Sequence, residues 1–218
     1  MTKKGFIFDL DGVIVDTAKY HYLAWKKLAN SLDIDFTEEE NEQLKGVSRV
    51  KSLEKILSWG NKTLTDEQFK GLMAAKNEDY LNHISNMDED EILPDVPRVL
   101  QLLKEEQQAI SLGSASKNAR TILDQVNLKS AFDAIVDGND VSKAKPDPEV
   151  FLIAAEQLGV NPKDCIVFED SVAGVEAANV ANMISIGIGS EDVLGHAQYV
   201  FKDFTEISDD FIKSLINN

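Results

Sequence analysis

The sequence predicts an α/β fold in which a parallel sheet forms the core and a helical cap is inserted after the first strand. Three observations predict it. A short apolar run, Gly5 to Phe8, stands alone near the start and ends abruptly in Asp-Leu-Asp-Gly. A helical pattern then runs from Thr17 to about Met87. From about residue 93, short apolar runs alternate with helices, the rhythm of a parallel sheet covered on both faces.

Each element has its own justification. Gly5 to Phe8 reads as a buried strand leading into a loop. Tyr20, Leu23, Ala24, Leu28 and Leu32 recur at helix spacing, and their apolar face is expected in a core. Thr37-Glu38-Glu39-Glu40 and Thr65-Asp66-Glu67-Gln68 read as capping boxes, in which a Thr hydroxyl and the side chain three residues on satisfy free backbone donors. After the second box, Phe69, Leu72, Met73, Lys76, Tyr80 and Ile84 mark one face of a long helix. The acidic run Asp88 to Glu91, before Pro94, reads as an exposed linker with solvated charges. Strands are expected at Ala109–Leu112, Ala134–Val136, Ile166–Phe168 and Met183–Ile188. Helices are expected at Val99–Glu105, Asn118–Val126, Glu149–Leu158 and Val172–Val180. The domains follow: a Rossmann-like α/β core from 1–14 and 93–218, and a helical cap from 15–92.

Composition narrows the function. The 218 residues are 43% hydrophobic, enough to bury a substantial core, and carry a net charge of −16. That charge argues against nucleic-acid or anionic-membrane partners, which select for excess Lys and Arg. A small anionic substrate then needs a local basic pocket. Cys165 is the single cysteine, so no intrachain disulfide and no cysteine cluster for zinc can form; its setting reads as a buried strand. The N-terminal lysines have no long apolar run behind them, so no signal peptide is expected, and no stretch reads as a membrane span. A cytoplasmic monomer is the expectation. No internal repeat or low-complexity segment is present.

In open parallel sheets, ligands bind beyond the carboxyl ends of the strands. There the sequence places Asp9 and Asp11, then Ser114-Ala115-Ser116, then Glu169-Asp170, with Lys143-Ala144-Lys145-Pro146 on a fourth connection. Crowded carboxylates raise one another's pKa, and a hard cation resolves the conflict; an oxygen shell suits magnesium. A carboxylate can attack phosphorus, and a hydroxyl with an ammonium can hold the equatorial oxygens of the transferring group. A second carboxylate two residues along can move a proton. Singly, these features read as turns or helix caps. Jointly, at successive strand ends, they point to phosphoryl transfer.

Asp9-Leu10-Asp11-Gly12-Val13, Ser114, Lys145-Pro146 and Glu169-Asp170-Ser171 resemble the four motifs of the haloacid dehalogenase superfamily, in order and across the chain. The resemblance implies Asp9 as nucleophile and Asp11 as general acid/base. It implies magnesium on Asp9, the Asp11 carbonyl and Asp170, with Glu169 in direct or supporting contact. Ser114 and Lys145 become the phosphate-holding pair. Within that superfamily, Thr17 to Trp25, Leu44 to Arg49 and Ser114 to Asn118 are similar to the β-phosphoglucomutases. Such enzymes interconvert β-glucose 1-phosphate and glucose 6-phosphate through glucose 1,6-bisphosphate, which serves as activator and intermediate. The resemblance adds Thr17 and His21 in support of Asp11. It makes Trp25, Lys45, Gly46, Val47, Ser48, Arg49, Ser52, Lys76, Ala115, Ser116, Lys117 and Asn118 the sugar-phosphate contacts. Gly113 stands where such relatives are expected to carry Ala. Two other readings stay open: a sugar-phosphate phosphatase of the same fold, and a non-catalytic sugar-phosphate-binding protein.

Independently of resemblance, a mutase must hold two phosphates, and the distal one needs its own cation. Arg49, with its planar fork, is a candidate. Lys117 follows Ser116 at a helix N-terminus, where a cation opposes the helix dipole and a bound phosphate would relieve it.

Overall fold

A computed structural model describes residues 3–217; Met1, Thr2 and Asn218, which the expected core includes, lie outside the described residues. The chain opens with strand β1 (Gly5–Phe8). Four helices follow: α1 (Ala18–Ser31), α2 (Glu38–Glu42), α3 (Arg49–Trp59) and α4 (Asp66–Ile84). Then come α5 (Val96–Glu105), β2 (Ala109–Gly113), α6 (Ala119–Gln125), β3 (Ala134–Val136), α7 (Glu149–Leu158), β4 (Cys165–Glu169) and α8 (Val172–Val180). The chain finishes with β5 (Ile184–Ile188), α9 (Glu191–Leu194), β6 (Tyr199–Phe201) and α10 (Asp209–Asn217).

The six strands form one parallel sheet in the order β3-β2-β1-β4-β5-β6. The order reverses between β1 and β4, which opens a crevice at their carboxyl ends. Phe8 pairs with both Leu112 and Phe168, so the chain leaves the sheet at one level as Asp9, Gly113 and Glu169. Side chains alternate across β1. Phe6 and Phe8 join one apolar layer, where Phe8 stacks on Phe168 with ring centroids 4.6 Å apart; Ile7 joins the opposite layer with Phe151, Ala154 and Val167. A methyl on Gly113 would stand 3.0 Å from both Ile7 Cγ2 and Phe151 Cδ1, so the Phe151 ring fills the space an alanine would need.

Both capping boxes form: Thr37 accepts from Glu40 N and Thr65 from Gln68 N, with the reciprocal bonds in place. The helical segment has its own apolar cluster, including Trp25, Leu28, Phe36, Leu53 and Ile56, while Ala24, Tyr80 and Ile84 pack into the sheet's core. Leu23 departs from its expected stripe and is 47% exposed, because its side of α1 faces solvent. The two chain crossings pair with each other: Val15 bridges Ile92, and Asp16 N donates to Glu91 O. The acidic run is not uniformly solvated as expected. Residues Glu89–Glu91 form a 3-10 turn, and the Glu91 carboxylate accepts from Lys19 Nζ at 2.8 Å and from Tyr20 Oη at 2.5 Å. Among the described residues, no helix is long and apolar enough to cross a membrane.

Candidate active site

The crevice at the strand ends is roofed by α1–α4 and encloses a cavity of about 610 Å³. Asp9 is anchored by its backbone N–H on Phe168 O at 3.0 Å, so β1 and β4 together aim its carboxylate into the cavity. Lys145 Nζ donates to Asp9 Oδ1 at 2.6 Å, to Gly113 O at 3.2 Å and to Glu169 Oε1. Asp9 Oδ2 has no hydrogen-bond donor among the described residues.

Burial raises the Asp9 carboxyl to about 7; the Lys145 ammonium opposes the rise, while Glu169 and Asp11 add to it. Asp170 stands well above the usual carboxylate range, through burial first and then Glu169 and Asp9, with Lys45 opposing. Burial works to lower the Lys145 ammonium, but Asp9 and Glu169 overcome it and hold it above its ordinary value.

Glu169 is fully buried and fully engaged. Its Oε1 meets Lys145, and its Oε2 accepts from the Ser171 backbone N–H and hydroxyl, each at 2.9 Å. That leaves it bracing Lys145 and the start of α8 rather than turned to the cavity. Among the described residues, no three His, Cys, Asp or Glu side chains converge as a metal cluster. Asp9 and Asp170 line the same cavity and are the candidate carboxylates for a hard cation, together with the Asp11 backbone carbonyl that the resemblance implies. Two buried carboxylates with raised pKa are a pair that a divalent ion would stabilise.

Asp11 lies inside the cavity with 31% of its side chain exposed. Enclosure raises its carboxyl, and the Thr17 hydroxyl, which donates to Asp11 Oδ1, pulls it down. His21 Nε2 lies 3.9 Å from Asp11 Oδ1, and its Nδ1 lies 3.0 Å from Lys76 Nζ. Whenever Lys76 is protonated its ammonium donates to Nδ1, and the Nε2 edge is then the N–H that faces Asp11. Burial, then Lys76 and Arg49, keep His21 well below its ordinary pKa, hence neutral. Lys76 is buried with its Nζ 4.6 Å from both the Trp25 and Tyr80 ring centroids. Aromatic faces flank it, no carboxylate forms an ion pair with it among the described residues, and Asp11 and Asp79 favour its charge only from a distance. Burial and Arg49 lower it to about 7.

Arg49 opens α3 behind its N-cap Ser48, whose hydroxyl accepts from Lys51 N at 3.4 Å. Its guanidinium lines the cavity half-buried, with no ion pair or hydrogen bond among the described residues. Lys45 Nζ lies 2.9 Å from Glu42 and 3.6 Å from Asp170, reaching from the helical segment to the strand-end carboxylates. Gly46 has φ +68°, and a Cβ there would fall 2.3 Å from Ser171 Oγ. Only glycine lets this loop sit down on the start of α8.

The loop after β2 is held from below. Ser114 N donates to Val136 O at 3.0 Å and Ser114 Oγ accepts from Ser116 N at 3.1 Å. Gly138 N donates to Ser116 O at 3.1 Å, and Asn139 Nδ2 to Lys117 O at 3.0 Å. Lys117 is exposed at the cavity mouth.

Ala115, Ser116, Lys117, Asn118, Trp25, Val47, Ser48 and Ser52 thus share the cavity wall with Asp9, Asp11, Ser114, Lys145 and Asp170. Thr17 and Glu169 stand behind that wall and reach it only through their hydrogen bonds with Asp11 and Lys145. Sequence reasoning missed Asn77, whose Oδ1 accepts from Asn118 Nδ2 at 3.0 Å. It also took Tyr80 for core only; its ring lies 4.3 Å from His21, and its hydroxyl is buried with no hydrogen-bond partner among the described residues. The spacing of Lys76 and Tyr80, one helical turn apart, was the available signal.

A model of the haloacid dehalogenase-like hydrolase family matches residues 3–182. The chain is 43% identical over 207 residues to a β-phosphoglucomutase of Bacillus subtilis (strain 168), covering 94% of this chain and 92% of that one. It is 30% identical over 184 residues to a fructose-1-phosphate phosphatase of Escherichia coli (strain K12), covering 84% and 95%. A crystal structure of β-phosphoglucomutase from Clostridium difficile superposes with a TM-score of 0.95 at 41% identity, covering 99% of this chain and 98% of that chain. With strand order, motif positions and sequence in agreement, the chain belongs to the haloacid dehalogenase-like hydrolase family.

Proposed function

We propose that this protein is a β-phosphoglucomutase, interconverting β-D-glucose 1-phosphate and D-glucose 6-phosphate through β-glucose 1,6-bisphosphate and a phosphorylated Asp9. The observation that carries the choice is Arg49. A half-buried guanidinium, with no ion pair or hydrogen bond among the described residues and lining the same cavity as Asp9, supplies a second anion site. A phosphatase needs one phosphate site; a mutase needs two. The 43% identity to a β-phosphoglucomutase supports the same choice over the phosphatase alternative.

In the proposed cycle, an Asp9 carboxylate oxygen attacks a phosphorus of the bisphosphate. The phosphorus–oxygen ester bond breaks, and the departing sugar oxygen takes a proton from Asp11. The sugar monophosphate leaves, and its isomer binds with a free hydroxyl towards phospho-Asp9 and its phosphate on Arg49. Asp11, now a carboxylate, takes the hydroxyl proton as the oxygen attacks phosphorus, regenerating bisphosphate and free Asp9. Lys145 and Ser114 hold the transferring oxygens, while Thr17 and His21 fix the Asp11 carboxyl. Asp9, Asp170 and the Asp11 carbonyl would hold a magnesium ion, which would supply charge neutralisation for the transferring group. Residues 15–92 act as a cap that excludes water from phospho-Asp9. We place the enzyme in the cytoplasm as a monomer acting on small sugar phosphates.

The test is incubation with β-glucose 1-phosphate, magnesium and a trace of bisphosphate, following glucose 6-phosphate and free phosphate. Rapid isomer with little free phosphate is expected. Mostly free phosphate would establish a phosphatase instead, and neither product a binding role.

A further inference from the structure

Asn118 is the N-cap residue of α6, a position where Asn ordinarily accepts a hydrogen bond from the first-turn backbone. It makes no such bond. Its side chain instead reaches across the cleft, where Nδ2 donates to Asn77 Oδ1 on α4 at 3.0 Å. Among the described residues, this is the sole side-chain hydrogen bond between helices α1–α4 and the loop Ser114–Asn118. The loop's other ties, from Val136, Gly138 and Asn139, all come from the sheet side. The loop therefore keeps its place on the core whatever the roof does, and the Asn118 amide is its one arm to the roof.

Asn77 also adjoins Lys76, which faces His21 and the cavity. An amide nitrogen carries two N–H groups. With one committed to Asn77, the Asn118 amide plane is fixed and its second N–H and its Oδ1 have a defined direction.

Resting on the mutase reading, we infer that Asn77 is a positioning residue that sets the Asn118 amide for substrate only when the helical roof is seated. It thereby couples sugar-phosphate binding to exclusion of water. A roof that lifts releases Asn118, loosening the substrate and admitting water to phospho-Asp9 in the same movement.

The test is a double-mutant cycle of Asn77→Ala, Asn118→Ala and the pair, with KM, kcat and free phosphate released per isomer formed. Alanine is the better helix former, so Asn77→Ala is not expected to unfold α4. One hydrogen bond predicts that Asn77→Ala raises KM and the phosphate-to-isomer ratio about 3- to 10-fold. In the Asn118→Ala background it should add less than about 1.5-fold, since the two residues act as one unit. The Asn118 side-chain amide resonance should also shift in Asn77→Ala. Unchanged KM and ratio, equal effects in both backgrounds, or an unmoved amide resonance would overturn the inference. Wild type is assayed first. Free phosphate without glucose 6-phosphate there defeats the mutase reading, and Asn77 is then judged by KM for hydrolysis in the same cycle.

Discussion

Arg49→Ala should separate the two phosphate sites of the enzyme. Among the described residues the guanidinium has no ion-pair or hydrogen-bond partner, so its removal breaks no such pair. It also relieves the burial that already lowers its affinity for a proton. Stability should therefore hold or rise slightly, with a melting temperature within about 2 °C of wild type. Activity should not hold. A fork gripping a phosphate makes two charge-assisted hydrogen bonds, each worth about 1.5–3 kcal/mol. Their loss totals about 3–6 kcal/mol, or about 10²- to 10⁴-fold in mutase kcat/KM at about 1.36 kcal/mol per factor of ten. The control is hydrolysis of p-nitrophenyl phosphate, which carries one phosphate and has nothing to place on Arg49. Its rate should change less than about 2-fold, because Asp9, Lys145 and Ser114 are untouched. Arg49→Lys should recover part of the mutase loss, since a point charge remains without the planar fork. An equal loss in both assays would refute the argument, because Arg49 would then be serving the Asp9 end of the cavity.

Asp9→Asn should abolish phosphoenzyme formation, seen as no label on the protein from radioactive bisphosphate. Asp11→Asn should slow turnover about 10²- to 10⁴-fold while the protein still folds, the usual range for a lost acid/base group. Lys76 titrates at about 7 in the folded protein against its ordinary 10.5. The unfolded chain thus binds a proton that the folded one has shed, so stability rises with pH between those values. Lys76→Met should flatten that rise in denaturant titrations, and its stabilising effect should be larger at pH 6 than at pH 9. Thr65→Ala removes the capping box of α4 and should cost about 1 kcal/mol by urea titration, without changing kcat.

Much of this site was legible because it sits where local rules apply. Asp9, Ser114 and Glu169-Asp170 follow buried apolar runs, and a parallel sheet places all such ends on one edge. The bounds of α7 and α8 and both capping boxes also rest on short-range chemistry, and they matched. What escaped was set by distant partners. Asn77 meets Asn118 across 41 positions, and nothing beside either residue records the pairing. Tyr80 looked like one more apolar position, since a stripe tells which face is buried but not what it is buried against. Glu91 looked like part of a solvated run until Lys19 and Tyr20, from the far side of the helical segment, closed on it. Strand β6 has only three residues, none of them fully buried, so it carries almost no periodic signal. Helix α10 buries Ile212, Leu215 and Ile216, but no strand-end motif accompanies it to mark a place in the core.

The contact between Gly46 and Ser171 has a consequence for how relatives of this enzyme can drift in character. Ser171 Oγ is fixed by its bonds to Glu169 and Gly174 N and cannot swing aside freely. The clearance above it admits a hydrogen atom and refuses a methyl group. Position 46 is thus a doorstop in waiting: a single added carbon would hold the lid ajar with every reacting group intact. An isomerase could become a leaky hydrolase by that route, through a change in fit alone.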